Sequence, residues 1–182
     1  MARIYLVRHG EAAARWADEL DPGLSELGRT QAREAEEALA PLGPLDIVSS
    51  PLMRARETAE PLVNSWGVKP RIERRLTEIP TPEEVMDTRM AWLEQTVKKR
   101  WADLDGDLAA WRRGVIDAVL ALERDTVVFS HFVAINAALG AAVDDDRVMH
   151  FWPNNASISI VETDGSTLAL IERGGEAVTD VR

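Results

Sequence analysis

The fold is decided at residues 4–11, which read IYLVRHGE. Because no polar residue interrupts the first four positions, they predict a strand that is buried on both faces, as in a parallel sheet. The strand leads directly into residues 8–11, RHGE, so the charged side chains follow it at its carboxyl end. In sheets of parallel strands the functional residues lie beyond the carboxyl ends, so this turn is the first candidate for a site.

The same pattern recurs twice along the chain. Residues 45–48 and 126–129 are largely apolar runs that predict buried strands, and they are followed by Ser49-Ser50 and by Ser130-His131. Segments with helical features alternate with the strands, at 26–39, from Pro51 onward, and at 133–142. This alternation predicts an α/β fold, a three-layer sandwich with a mostly parallel central sheet flanked by helices.

The remaining elements complete a single predicted domain over residues 1–182. Residues 70–72 predict a short strand, and residues 157–161 and 168–171 predict a hairpin. Pro61 is expected to kink or interrupt the helix that starts at Pro51. Two further helices are predicted at about 83–101 and 107–123, and they form a helical insertion at about 83–123 that would sit over or beside the site.

Composition excludes several classes of function. The 182 residues contain no cysteine, which excludes disulfides, thiolate catalysis and cysteine-based zinc sites. Three histidines are too few to favour a histidine-rich metal cluster, and a net charge of −10 argues against a nucleic-acid partner. No apolar run has the length of a membrane span or of a signal segment. We therefore expect a cytoplasmic protein with no membrane or nucleic-acid partner.

Five segments, taken in order, resemble the histidine phosphatase superfamily, the phosphoglycerate-mutase-like family. A lone Arg-His-Gly is a weak signal, but the ordered set is specific and spans most of the chain. The matching segments are LVRHGE at 6–11, LSELG at 24–28 with Gln31-Ala32, SSPLMRA at 49–55 with Thr58-Ala59, LTE at 76–78 and FSH at 129–131.

The resemblance implies a set of catalytic roles. His9 would be the nucleophile, because a neutral imidazole nitrogen attacks phosphorus readily and divides one difficult step into two. Arg8 and Arg54 would bind the phosphoryl oxygens, and His131 would donate a hydrogen bond to them. Glu78 matches the proton donor of the family, with Glu83 and Glu84 as the alternatives. The implied activity is that of a phosphoric monoester hydrolase of the histidine acid phosphatase type, with no metal and no cofactor.

Two departures from the family pattern concern the substrate. Phe132 stands where the family often has glycine, and its ring would narrow or line the pocket. Arg15 stands at the position of a phosphate-binding asparagine, and Ala12 and Asn136 also replace residues that are frequent in the family. Arg15 and Phe132 are therefore predicted to bind substrate.

Some alternatives stay open at this point. The same site would serve a phosphoglycerate-type mutase, which returns the phosphoryl group to the product, or a non-catalytic phosphate-binding module that kept the fold. The expected substrate is a small phosphorylated molecule, with a phosphoprotein also possible. The chain is expected to be a monomer or a homodimer.

Overall fold

A six-stranded sheet forms the centre of the computed structural model, which describes residues 1–15 and 18–176. The strands lie in the order β3-β2-β4-β1-β5-β6. Three pairings are parallel, between β1 and β4, β4 and β2, and β2 and β3, and the pairings of β5 with β1 and with β6 are antiparallel. The strands are β1 Ala2–Arg8, β2 Asp46–Ser49, β3 Arg71–Ile72, β4 Thr126–Ser130, β5 Ile158–Thr163 and β6 Leu168–Glu172.

Alternate residues of the central strands enter two separate cores. Ile4 and Leu6 of β1 belong to one cluster, and Tyr5 and Val7 belong to the other, since side chains of a strand point alternately to its two faces. Helices cover both faces, so the predicted three-layer sandwich with a mixed, mostly parallel sheet is confirmed. The helices are α1 Glu26–Leu39, α2 Met53–Trp66, α3 Arg89–Thr96, α4 Gly106–Leu120 and α5 Phe132–Ala142.

The helix that carries Arg54 runs through Pro61 as one element, so Pro61 does not interrupt it; the alternative expectation of a kink stays a prediction. Proline removes one backbone donor and is costly inside a helix. The buried face of α2, with Ala55, Ala59 and Leu62, packs against the sheet in the second core and offsets that cost. The helix begins at Met53, two residues after Pro51, and ends at Gly67, whose φ of 65° suits glycine.

The predicted helix at 83–101 is also wrong in its extent. Residues Glu83–Thr88 form a 3₁₀ segment that is distorted at Val85, and only Arg89–Thr96 is α-helical. After Thr96 the chain leaves the helix and pairs with residues 146–148. Trp101 N donates to Asp146 O, and Val148 N donates to Lys99 O. The second helix of this region, α4, is capped by Asp105, whose carboxylate accepts from two backbone N–H groups of the first turn.

No helix within residues 1–15 and 18–176 is long and apolar enough to cross a membrane. The assignment of 1–182 as one domain with an insertion at 83–123, and the cytoplasmic location, stay predictions.

Candidate active site

The register of the sheet brings three polar turns together. Arg8 of β1 is aligned with Ser130 of β4, and Ser49 of β2 is aligned with Phe129. The residues that follow these strands therefore emerge side by side at one edge of the sheet. The imidazole rings of His9 and His131, 122 positions apart in the chain, lie with their centroids 5.2 Å apart.

Both ring nitrogens of His9 have partners that fix its tautomer. Nδ1 lies 2.7 Å from the carbonyl oxygen of Gly10, which can only accept, so Nδ1 carries the proton. Nε2 lies 3.2 Å from Nε of Arg54, which can only donate, so Nε2 presents its lone pair. Burial and the charges of Arg8 and Arg54 hold the pKa of His9 well below its usual range. A neutral imidazole whose Nε2 lone pair is released by Arg54 can act as a nucleophile.

The turn that holds His9 is fixed by its backbone. Gly10 N donates to Thr58 Oγ1 of α2 at 2.9 Å, and a side chain at Gly10 would collide with the carbonyl of Gly28 at the start of α1. The carbonyl oxygen of His9 accepts from Asn155 Nδ2 at 3.1 Å and from Ala156 N at 3.3 Å. The loop before β5 therefore supports the turn from one side, and α1 and α2 support it from the other.

Two arginines flank the imidazoles without a carboxylate ion pair on their guanidinium groups among the described residues. Arg54, in the first turn of α2, is 3% exposed, and burial lowers its pKa. Arg8 donates from Nη1 to the carbonyl of Pro153 at 2.8 Å, and its guanidinium lies 4.8 Å from the centre of the Phe132 ring. Burial lowers the pKa of Arg8 to about 10, so Arg8 keeps its charge at neutral pH.

His131 is fully buried at the end of β4, where it precedes the first turn of α5. Its Nε2 lies 2.8 Å from the hydroxyl oxygen of Ser50. Burial, and then the charge of Arg54, hold the pKa of His131 well below its usual range. This second imidazole is therefore neutral as well.

Glu78 is the carboxylate that belongs to this cluster. Its Oε1 accepts from the backbone N–H of Ile79 at 2.9 Å and from that of Val133 in the first turn of α5 at 3.1 Å. Burial raises the pKa of Glu78, although these hydrogen bonds and the charges of Arg54 and Arg8 oppose the rise. Glu83 and Glu84 are exposed in the 3₁₀ segment before α3.

Three nitrogens of the cluster are buried without a hydrogen-bond partner among the residues that the structure describes. They are Nε of Arg8, Nη1 of Arg54 and Nδ1 of His131. Buried polar nitrogens are almost always paired in folded proteins, so a cluster of unpaired ones indicates a site for an external ligand. Donors on two guanidiniums, with an unpaired imidazole nitrogen and a nucleophilic one in the same cluster, suit the oxygens of a phosphoryl group.

The two residues predicted to bind substrate differ in their placement. Phe132 is 8% exposed and packs against Arg8, so it contacts the cluster through that arginine. Arg15 lies in the loop after β1 with a side chain that is 75% exposed, and it pairs with Asp18 at 2.8 Å. The described contacts do not bring Arg15 to the cluster, so its role in substrate binding stays a prediction.

Sequence reasoning missed several residues that build the site. The sequence places Ser50 after a strand without giving it a role, and Thr58 stands only within a segment that matches the family. Asn136, which stands where the family often has arginine, donates to the carbonyls of Phe132 and Phe151 and joins α5 to the loop before β5. Ser50 directly follows β2, His131 directly follows β4, and these two strands pair with each other. Their matching positions after apolar runs were the signal that could have linked the two residues.

Comparisons with known proteins agree with this geometry. The model of the histidine phosphatase superfamily (branch 1) matches residues 4–174. A glucosyl-3-phosphoglycerate phosphatase of Mycobacterium tuberculosis is 34% identical over 180 residues, covering 83% of this chain and 78% of the relative. The probable phosphoglycerate mutase GpmB of Erwinia tasmaniensis is 31% identical over 121 residues, covering 64% of this chain but 51% of the relative.

Among solved structures, the mycobacterial glucosyl-3-phosphoglycerate phosphatase Rv2419c in complex with VO3 superposes with a TM-score of 0.71 at 28% identity. The match covers 97% of this chain and 100% of the other. The fold, the buried cluster around His9 and these matches lead to one conclusion: the chain belongs to the histidine phosphatase superfamily.

Proposed function

We propose that this protein hydrolyses the phosphate monoester of a small molecule through a phosphohistidine intermediate on His9. The observation that carries the proposal is the state of His9 itself. Its tautomer leaves the lone pair of Nε2 beside Arg54, within a cluster of donors that lack protein acceptors. This arrangement serves nucleophilic attack on a phosphoryl group and offers little to a purely structural role.

The first chemical step breaks the ester bond. His9 Nε2 forms a bond to phosphorus while the P–O bond to the leaving alkoxide breaks, and Glu78 supplies the proton that the alkoxide needs. Arg8, Arg54 and His131 bind the equatorial oxygens, where charge must be stabilised in the transition state. Arg54 Nε must leave His9 Nε2 as attack begins, and the phosphoryl oxygens provide its new acceptor.

The second step returns the enzyme to its starting state. Water loses a proton to Glu78 and attacks phosphorus, the P–N bond breaks, and inorganic phosphate leaves. The raised pKa of Glu78 supports its proposed use as the acid in the first step and the base in the second. Glu78 is preferred to Glu83 and Glu84 because its carboxyl shares the electrostatic environment of Arg8 and Arg54.

The acid-phosphatase subtype concerns the pH range of the reaction. Because burial holds the pKa of His9 well below its usual range, the nucleophile stays neutral in mildly acidic solution. An acidic optimum would also keep Glu78 protonated for the first step. We propose activity that extends below neutral pH, and a pH profile of kcat/KM tests it.

The proposed substrate class is a phosphorylated small molecule, with glucosyl-3-phosphoglycerate as the first candidate. This candidate rests on the relative from Mycobacterium tuberculosis, which matches most of both chains. The mutase alternative rests on the GpmB relatives, of which a smaller share is matched. Isomerisation of 3-phosphoglycerate without release of phosphate would favour the mutase.

The test is a panel of phosphate esters assayed with a chelator present, comparing wild type with His9→Ala and with His150→Ala. His150 is the matched control, because its ring packs against Phe151 and its Nε2 contacts the Asn136 carbonyl. We expect His9→Ala to lose activity by a factor on the order of 10³ or more while His150→Ala keeps it. We also expect acid-labile phosphate to be trapped on the wild type and not on His9→Ala. Retained turnover in a folded His9→Ala would overturn the mechanism.

A further inference from the structure

We propose that Ser50 sets the tautomer of His131, by donating its hydroxyl hydrogen to Nε2 and so placing the imidazole proton on Nδ1. Ser50 would thus be a positioning residue that acts through His131. The use of that proton on a phosphoryl oxygen rests on the proposed function. The tautomer itself is a property of the protein without substrate, and it can be measured independently of any activity.

The hydrogen bonds of the Ser50 hydroxyl decide its direction. Its oxygen lies 2.8 Å from His131 Nε2 and accepts from the backbone N–H of Leu52 at 3.3 Å. Ser50 and His131 are both 0% exposed. The Leu52 N–H can only donate, so it occupies one of the two lone pairs of the hydroxyl oxygen, and Nε2 of His131 is the one described acceptor within reach of the hydroxyl hydrogen.

The opposite arrangement leaves two groups unsatisfied. If Nε2 carried the proton and donated to Ser50, the hydroxyl hydrogen would have no acceptor among the described contacts of Ser50. His131 Nδ1 would then present a lone pair where a phosphoryl oxygen must bind, and the two would repel each other. In the proposed arrangement only the Nδ1–H group of His131 lacks a partner among the described residues, so one polar group is unsatisfied instead of two.

The selected tautomer completes the set of donors. His131 Nδ1 is buried and has no partner among the described residues, as do Nε of Arg8 and Nη1 of Arg54. With the proton on Nδ1, all three atoms are donors. The low pKa of His131 keeps the ring neutral, so that its tautomer, and not its charge, determines what it offers to the substrate.

The two imidazoles of the site would then both carry the proton on Nδ1. His9 would offer its Nε2 lone pair to the substrate, whereas His131 would offer its Nδ1 proton. In His9 the Gly10 carbonyl binds the Nδ1 proton, and the lone pair of Nε2 is available for attack. In His131 the Ser50 hydroxyl occupies the lone pair of Nε2, and the Nδ1 proton is available to the substrate. A carbonyl partner makes one ring a nucleophile, and a hydroxyl partner makes the other a donor.

The primary test is ¹⁵N NMR of histidine-labelled wild type, free of substrate, at neutral pH. With three histidines in the chain, His150→Ala and His9→Ala assign the signals. We expect His131 to show the pattern of a neutral ring protonated on Nδ1. A proton on Nε2 in the wild type would overturn the proposal without recourse to any variant at Ser50.

Variants at Ser50 and Ser49 then test the cause. Ser50→Ala is expected to shift His131 towards the Nε2-protonated form and to lower kcat/KM by about 10- to 100-fold, the effect of losing one preorganised donor. Ser50→Thr retains the hydroxyl and is expected to retain the wild-type tautomer. Ser49→Ala is the matched control, because the Ser49 hydroxyl donates to the Ser50 carbonyl at 2.9 Å and is equally buried.

The outcomes separate this inference from the proposed function. An unchanged Nδ1-protonated pattern in folded Ser50→Ala would refute the role of Ser50, whatever happens to activity. A tautomer that depends on Ser50 in a protein without phosphatase activity would support the inference and refute the function. Loss of the wild-type pattern in Ser49→Ala as well would show a general disturbance of the turn and would also count against Ser50.

Discussion

The two ends of the central strands differ in the burial and the ion pairing of their charged side chains. At the carboxyl ends of β1, β2 and β4, Arg54 and both imidazoles are buried, and their polar atoms lack counter-charges in direct contact. At the amino ends of β2 and β4, Asp46 and Arg124 form an ion pair at 2.7 Å, with side chains 45% and 79% exposed. A groove of about 330 Å³ lies at this second end, and it is lined by charges of both signs.

The difference shows which end is maintained at the expense of stability. A cation that is withdrawn from water without a partner raises the free energy of the folded state, whereas an exposed ion pair contributes little in either direction. The groove at the amino ends is therefore lined by ordinary surface charges. The cluster around His9 carries a destabilising arrangement, and such arrangements persist where chemistry requires them.

Among the tests of this contrast, the largest expected effect comes from removing the charge of Arg54 while keeping its bulk. Arg54→Met should lower kcat/KM by about 10²- to 10³-fold, because a donor to the phosphoryl oxygens is lost. The same change should leave the free energy of unfolding unchanged or raise it by about 1 kcal/mol or more, since a buried unpaired cation is replaced by an apolar chain. Kinetics on a phosphate ester and urea unfolding measure the two effects.

Arg124→Met is the matched control at the opposite end of the strands. It should leave kcat/KM unchanged and lower the free energy of unfolding by less than about 1 kcal/mol, as expected for one exposed ion pair. The contrast between the two ends is refuted if Arg54→Met keeps full activity and its free energy of unfolding falls by several kcal/mol. Arg54 would then be a structural residue.

The convergence of the site could be predicted from the sequence because it depends on backbone order. Buried strands followed by polar residues place His9, Ser50 and His131 at one edge in any parallel arrangement. The bounds of α1 were also predictable, since Ser25 caps it through the backbone N–H of Gly28. These features are set by periodicity and by local hydrogen bonds.

The rest depends on contacts between distant side chains. The stacking of Phe132 against Arg8 and the hydrogen bond between Ser50 and His131 require rotamers and register that no local pattern contains. The continuous helix through Pro61 has the same cause, because packing in the second core outweighs a local preference. The break after Thr96 follows from pairing with residues 146–148, which lie some 50 positions further along the chain.

A smaller effect is expected from Glu78→Gln, which tests the one acidic group of the buried cluster. Glutamine keeps an oxygen for the N–H groups of Ile79 and Val133 but cannot donate and recover a proton as the carboxyl does. We expect kcat to fall by about 10- to 100-fold with an alkyl phosphate. With p-nitrophenyl phosphate the loss should be only a few-fold, because nitrophenolate leaves without a proton.

The pH dependence of the same variant sharpens the assignment. Since burial raises the pKa of Glu78, the wild type keeps the acid form up to that raised pKa and loses activity as pH increases through it. The variant should lack this alkaline decline. The sign is the same for stability: the contribution of the protonated carboxyl is complete below the ordinary pKa of glutamate and is lost as pH rises through the folded-state pKa. Equal losses with both leaving groups would remove Glu78 as the proton donor to the leaving group.

The smallest expected effect tests whether the ion pairs of a charged residue, or its position at this end of the sheet, determine its role. Glu73 follows β3 at the same end as the cluster, but it lies towards the outside and binds Arg75 at 2.9 Å and Arg71 at 3.4 Å. Its hydrogen bonds with Arg75 lower the pKa of Glu73 to about 2. If ion pairing determines the behaviour of a charge, Glu73→Gln should leave kcat/KM unchanged and lower the free energy of unfolding by about 0.5–1 kcal/mol at pH 7, after allowance for solvent screening.

The sign of its pH dependence follows from the lowered pKa. The stabilisation by Glu73 is complete above the ordinary pKa of glutamate and is lost as pH falls through about 2, so the difference between wild type and variant should shrink between these values. Urea unfolding of both proteins at pH 7, 5 and 3 measures this change. A difference that stays constant down to pH 3, or a loss of activity comparable to that of Arg54→Met, would mean that position at this end of the sheet matters more than burial.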